Sequence, residues 1–262
     1  MESDPRVWIA TLRNSHERLA GLVGPLTPEQ LRGPAYPSEW TIAQVLSHLG
    51  SGAEIALMML AGALGETEPP TPESFPPVWD RWNAKTPDEQ AADALAADEN
   101  HVGTLEKLSD EQLSRIRLPF FGMDLDAVGT VRLRLGEHSV HTWDIAVQFD
   151  PVATVSPDAV DLMIDNVPQF LAPRLGRPQD DPFGVRIRTT SPERDYLLAT
   201  ADTVIMTDWP EGGTDVPVGE LSMPAEALLR LAYGRLDPVH TPPSVTGNLA
   251  DLDRLRAVFP GF

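Results

Sequence analysis

The chain has 262 residues, 42% of them hydrophobic and 23% charged, which is the balance of an ordinary globular protein of one large or two small domains. A formal charge of −19 argues against nucleic acid, whose phosphates need clustered Lys and Arg, and against an anionic membrane surface. The absence of cysteine excludes disulfides, Cys-ligated zinc, iron–sulfur clusters and a protein-borne thiol nucleophile, so a thiol in the chemistry must arrive as a cosubstrate.

Met1-Glu2-Ser3-Asp4-Pro5 lacks the basic-then-apolar pattern of a signal sequence. The longest apolar run, Ala56 to Leu64, is far shorter than the roughly 20 residues that span a bilayer. A cytoplasmic protein is therefore expected. From Pro5 to about Val23, the residues Val7, Trp8, Leu12, Leu19 and Leu22 recur close to a 3.6-residue period and predict a first amphipathic helix. Gly24-Pro25 ends it, and Thr27-Pro28-Glu29-Gln30 reads as a short capped turn.

A second helix is expected from about Thr41 to Leu64, with His48 at the flank of the stripe formed by Ile42, Val45, Leu46 and Leu49. The Pro- and Glu-rich stretch 65–77 reads as a surface loop. A third helix, in one or two pieces, spans about Val78 to Leu108, with Thr86-Pro87-Asp88-Glu89 as a helix start. Residues 109–123 are expected to be irregular, and a fourth helix covers about Ala127 to Phe149. Four long helices with connections near their ends predict a four-helix bundle.

Composition shifts after Asp150-Pro151. A helix is expected from Pro157 to Leu175, then strands at 185–189, 196–200 and 203–207, a helix from Pro224 through Arg235, and a last one from Leu249 to Phe259. The fold class is thus α plus α/β: an N-terminal bundle over residues 1–152 and a smaller C-terminal α/β domain over 153–262.

Chemistry concentrates in Gly136-Glu137-His138-Ser139-Val140-His141-Thr142-Trp143-Asp144. Glu137 and His141 are four residues apart, so on a helix they project from one face. A carboxylate and an imidazole placed so can grip a small divalent ion, and His48 on a second helix is the best third donor. His48, Glu137 and His141 are therefore the candidate metal ligands, with an open coordination position for chemistry. Zinc suits two imidazoles, one carboxylate and a water, although nickel, iron and manganese accept the same donors. His138 lies about 100° around the helix from Glu137 and is expected to face away. Asp144 is placed either to hold the second ring nitrogen of His141 or to pair with an arginine. His16, His101 and His240 have no companions at ligand spacing and read as structural or surface residues. Arg132 and Arg134 are lesser candidates for holding a substrate anion, and Phe120, Phe121 and Met123 for roofing a pocket.

The segments Trp40-Thr41-Ile42 with Leu46-Ser47-His48-Leu49, and Leu135-Gly136-Glu137-His138 with His141-Thr142-Trp143-Asp144, resemble the mycothiol-dependent maleylpyruvate isomerase family. The run Leu228-Leu229-Arg230-Leu231-Ala232-Tyr233-Gly234-Arg235-Leu236 is similar to that family's apolar helix ending in Gly-Arg, so the resemblance covers nearly the whole chain. It implies a DinB-like metal-binding bundle followed by a domain similar to sterol carrier proteins. It further implies a divalent metal, mycothiol as thiol cosubstrate and a small electrophilic substrate. The reaction implied is isomerisation by thiolate addition, bond rotation and elimination. Arg235 is the candidate catalytic-site cation, placed either to hold a substrate carboxylate bidentately or to make a structural salt bridge. The alternatives to isomerisation are a mycothiol S-transferase, a non-catalytic metal- or ligand-binding protein, and zinc-dependent hydrolysis. Substrate identity and oligomeric state are not encoded in these motifs.

Overall fold

A computed structural model of the protein describes residues 4–120, 122–214 and 218–261. The chain divides into two compact units, residues 2–153 and residues 154–262.

Helix starts in the first unit follow side-chain chemistry. Helix α1 (Pro5–Val23) is opened by Asp4, whose carboxylate accepts from the Arg6 N–H at 2.9 Å. Helix α2 (Pro28–Leu31) is a single turn capped by Thr27. Helix α3 (Ile42–Ala63) begins with a reciprocal capping box between Thr41 and Gln44. The third helical stretch is two pieces, α4 (Pro76–Asn83) and α5 (Pro87–Lys107). Pro87 has no N–H to continue α4, but it suits the first turn of α5 behind the Thr86–Glu89 capping box.

Residues 109–123, expected to be irregular, contain helix α6 (Asp110–Arg115) and an antiparallel hairpin of β1 (Leu118–Phe120) and β2 (Met123–Leu125). Gly122, at φ +79°, supplies the left-handed turn residue. Pro119 hides the strand from a propensity reading. Of the three residues expected to roof a pocket, Phe121 lies outside the described residues. Helix α7 (Ala127–Ala146) follows, capped by Asp126 on the Gly129 N–H at 2.7 Å.

Helices α1, α3, α5 and α7 form a ring in which α1 touches α5 and α7, and α3 touches the same two. Trp8, Leu12, Leu19, Val45, Leu46, Leu49, Val102, Leu105 and Leu135 fill the centre with at most 1% exposure. By length and composition alone α3 could cross a bilayer. Its buried Ile42, Val45, Leu46, Leu49 and Ala53 are instead committed to the bundle interior. Close approach of α3 to α5 rests on Gly50, where a β-carbon would overlap the Trp82 ring and sit 3.0 Å from the Ala94 α-carbon. Gly50→Ala is expected to cost about 1–3 kcal/mol through overpacking, against the helix-propensity gain of alanine. Urea denaturation followed by tryptophan fluorescence reads this, and unchanged or higher stability would contradict it.

In the second unit, the helix expected across Pro157–Leu175 is interrupted. Helix α8 (Pro157–Met163) gives way to a π-helical turn at Val167–Leu171 and then to α9 (Ala172–Leu175). Pro168 and Pro173 lack the N–H groups that a continuous helix needs. Strands β3 (Gly184–Thr190), β4 (Arg194–Thr200) and β5 (Val204–Asp208) form an antiparallel meander where strands were expected.

A further strand, β6 (Gly219–Pro224), pairs in parallel with β3. Helix α10 (Ala225–Ala232), strand β7 (Thr246–Gly247) and helix α11 (Leu249–Val258) complete the unit, giving the sheet order β5-β4-β3-β6-β7. Only Leu221 and Met223 of β6 are buried, and prolines flank it, so its alternation is short and weak. Helix α10 stops before Arg235. Gly234 at φ +72° reverses the chain, and the Arg235 N–H returns to the Arg230 carbonyl at 2.7 Å.

Candidate metal centre

Helix α7 places Glu137 and His141 one turn apart, and α3 brings His48 against them. His48 Nε2 lies 3.1 Å from Glu137 Oε2, and His141 Nε2 lies 3.6 Å from the same oxygen. One donor atom from each residue falls within 4.8 Å of the other two, which is the spacing of ligands around one small cation. The imidazoles meet edge to face with centroids 4.8 Å apart, and Trp40 stacks on His141 at 6.2 Å and 17°. The His48 and Glu137 side chains are 41% and 46% exposed, whereas His141 is 11% exposed. The group therefore sits at a rim and is open on one side. A cleft of about 660 Å³ reaches His48, lined also by Trp40, Gln44, Ser51, Trp79 and Lys85.

His141 is oriented from behind. Its Nδ1 is 2.8 Å from Oδ2 of fully buried Asp144, three residues on, which leaves Nε2 toward Glu137. Holding the histidine, one of the two roles open to Asp144, is therefore observed. Trp143 is buried in the core and donates to the Ala153 carbonyl.

Burial opposes the charge on Glu137, but hydrogen bonds from His141 and His48 outweigh it and hold the carboxyl far below its usual range. Burial likewise opposes a charged His141, yet hydrogen bonds to Asp144 and Glu137 lift its pKa to about 9. A cation bound at Nε2 must displace that proton. Metal affinity is therefore expected to rise with pH up to about 9, with proton release on uptake. A chelator-competition titration across this range checks it, and a flat profile would exclude His141 Nε2 as a ligand. Without metal, the raised pKa stabilises the fold fully below about 6.5, and this contribution is lost as pH rises to about 9.

His138 faces away from this centre, as its helical angle predicts. It is fully buried and belongs to a second cluster that sequence reading missed. His138 Nδ1 meets Ser15 Oγ at 2.8 Å, and its Nε2 lies 2.8 Å from Asp98 Oδ2, off the axis of a good hydrogen bond. His16 Nδ1 is 2.9 Å from the same Asp98 oxygen, and its Nε2 is 3.0 Å from Glu99. These partners come from α1, α5 and α7, so no local spacing announces them. The available signal was the stripe Ala91, Ala94, Asp98, His101, Val102, Leu105, which places an aspartate and a histidine on the buried face of α5. His101 is buried too, and desolvation followed by the nearby Arg134 charge pushes its pKa down to about 3.

Arg134 is not free to hold a substrate anion. It is 8% exposed, and its Nη2 donates to Asp98 and to the Leu49 carbonyl. Arg235, in the other unit, is 5% exposed and donates from Nη1 to the Tyr233 carbonyl at 2.7 Å. His240 is held by Asp237 at 2.8 Å.

Comparison with known proteins agrees with this architecture. Residues 12–146 match the family model described as the mycothiol maleylpyruvate isomerase N-terminal domain. A protein of Geobacillus thermodenitrificans (strain NG80-2), provisionally named a metal-dependent hydrolase, is 35% identical over 66 residues. That match spans 25% of this chain and 37% of the relative's length. Among solved structures, the mycothiol-dependent maleylpyruvate isomerase superposes with a TM-score of 0.69 at 14% identity, covering 94% of this chain and 93% of that one. A histidine-to-alanine mutant of that isomerase superposes equally well. The match extends through more than half of the chain, from the middle of α1 to the end of α7, and so takes in all three clustered donors: the protein belongs to the mycothiol maleylpyruvate isomerase family.

Proposed function

We propose that the protein is a metal-dependent enzyme that uses mycothiol, with His48, Glu137 and His141 as the ligands of one divalent ion, zinc being the first choice. The observation that carries this reading is the convergence of two imidazole nitrogens and a carboxylate oxygen within 4.8 Å at the rim of an open cleft. The donor set fits such an ion, because three protein ligands with an open side are the pattern of catalytic rather than structural zinc. When bound, the ion supplies Lewis acidity that keeps a small-molecule thiol as its thiolate near neutral pH.

The chain's own residues would do the rest. Asp144 holds the His141 ring so that Nε2 faces the ion. Trp40, stacked on His141 and close to His48, fixes both rings and shields one side from water. For an isomerase of the maleylpyruvate type, the thiolate adds to an activated carbon–carbon double bond. The resulting single bond rotates, and elimination restores the double bond with opposite geometry and releases the thiol. Arg235 is the proposed cation for the substrate carboxylate, a role that suits a planar guanidinium.

One observation favours a second reading, conjugation of the mycothiol thiolate to an apolar electrophile. Among the described residues lining the cleft beside His48, Lys85 is the only cation, and it is already paired with Asp93 at 2.8 Å. Trp79 also borders a second cavity of about 760 Å³ lined mostly by Met59, Phe75, Leu118 and prolines, with Arg117 at its wall. A dicarboxylate would find little charge in the cleft beside His48, whereas an apolar electrophile would be at home there.

Purified protein should carry about one equivalent of divalent metal and bind mycothiol saturably. Cis–trans conversion of maleylpyruvate only with mycothiol present establishes the isomerase. Conjugation of aromatic electrophiles without isomerisation establishes the transferase. Metal without thiol binding turns the reading to hydrolysis or a structural ion. Arg235→Met is expected to raise KM for a dicarboxylate substrate more than for a neutral one, and an equal effect on both would remove Arg235 from the site.

A further inference from the structure

The two helices that carry the three clustered donors are tied together one residue away from His48. Arg134 stands three residues before Glu137 on α7, so it points from the same side of that helix one turn earlier. Its Nη2 donates to the carbonyl of Leu49, the residue after His48 on α3, at 2.9 Å. The same nitrogen donates to Asp98 Oδ1 on α5 at 2.8 Å. Its room on α3 is made by Gly52, where a β-carbon would lie only 3.0 Å from Arg134 Nη1. Asp98 is anchored in turn, because its other oxygen is met by His16 of α1 and His138 of α7. Arg134 and Asp98 are 8% and 1% exposed, so neither is replaced by water.

We propose that Arg134, braced by Asp98 and admitted by Gly52, is a positioning residue that sets the separation of His48 from Glu137 and His141 and thereby the affinity and geometry of the metal centre. Ligands around a small cation must be held to within a few tenths of an ångström, and packed helices can shift against one another by more than that. A guanidinium hydrogen-bonded to a main-chain carbonyl beside one ligand, and carried on the helix of the other two, removes that freedom. The deeper cluster of His16, Asp98 and His138 then takes its counter-charge from Arg134 rather than from a second metal. The inference rests on the metal-centre reading of His48, Glu137 and His141.

The test is the dissociation constant of the whole protein for Zn2+ by chelator competition, with the visible absorption spectrum of the Co2+ form as a report of ligand geometry. Circular dichroism checks folding. Arg134→Met is expected to weaken metal binding about ten- to a hundredfold, as loss of an outer hydrogen-bonding partner does, and to change the Co2+ spectrum. Arg134→Lys, whose ammonium can still donate to both partners, should recover most of the affinity.

Gly52→Ala replaces glycine with a better helix former and leaves every charge in place. It should weaken the metal while the helix content is kept, so the question stays answerable if Arg134→Met fails to fold. Wild-type affinity and spectrum in folded Arg134→Met or in Gly52→Ala would overturn the proposal. Uptake of a second equivalent by Arg134→Met would overturn it too, since Arg134 would then be excluding a metal rather than setting a distance. Absence of metal uptake by the native protein would overturn the metal-centre reading, and this inference with it.

Discussion

His48→Ala is expected to purify as a folded protein nearly devoid of metal and unable to bind mycothiol. The His48 side chain is 41% exposed and bonds Glu137 at the rim, so its removal should cost the fold no more than about 1 kcal/mol. The same change deletes one of three donors. The loss of metal affinity should therefore exceed the roughly 10–100-fold typical of losing an outer hydrogen-bonding partner. Glu137→Gln keeps the shape of the side chain and removes its charge, and should fail in the same way. His240→Ala, bound to Asp237 in the other unit, is the control that should keep full metal content. Elemental analysis with mycothiol calorimetry reads all three. Full metal content in both His48→Ala and Glu137→Gln would refute the proposed centre.

Asp98→Ala should be the most damaging change to the bundle. It leaves Arg134 buried without its carboxylate and strips His16 and His138 of the oxygen they share. Breaking a buried pair by removing one partner typically costs about 3–5 kcal/mol, because the remaining charge is stranded. Asp98→Asn should cost less, since the amide oxygen still accepts from one donor. In the native chain burial opposes the Asp98 charge, but the His138 and Arg134 charges and the His16 hydrogen bond hold its carboxyl well below the usual range. Its stabilising contribution is present above the unfolded value of about 3.9 and is lost only as pH falls toward the depressed folded value. Denaturant titration of the folded variants measures the difference, and a cost under about 1 kcal/mol for the alanine would show the network to be dispensable.

Which features could be read in advance follows from their range along the chain. Helix α1 begins and ends where its period and its flanking residues say, because Asp4-Pro5 and Gly24-Pro25 act locally. The same holds for the starts at Thr41 and Thr86, where capping boxes form within four residues. The hairpin at 118–125 and strand β6 escaped notice because Pro119, Pro217 and Pro224 mask short alternations whose partners are supplied from elsewhere. The break in the helix expected over Pro157–Leu175 was written in Pro168 and Pro173, and apolar periodicity outvoted it.

The sequence by itself determined the bundle class, the absence of any protein thiol, and the placing of Glu137 and His141 on one helical face. These are consequences of composition and of a period within one element. Only the tertiary structure decided that His48 lies 3.1 Å from Glu137, that Asp144 holds His141, and that Arg134 is spent on Asp98 and Leu49 instead of facing a ligand. It alone revealed that His16, Asp98 and His138, drawn from three helices, share one buried cluster. A hydrogen bond between residues 36 or 89 positions apart depends on how helices pack, and packing is set by the whole core at once rather than by any local spacing.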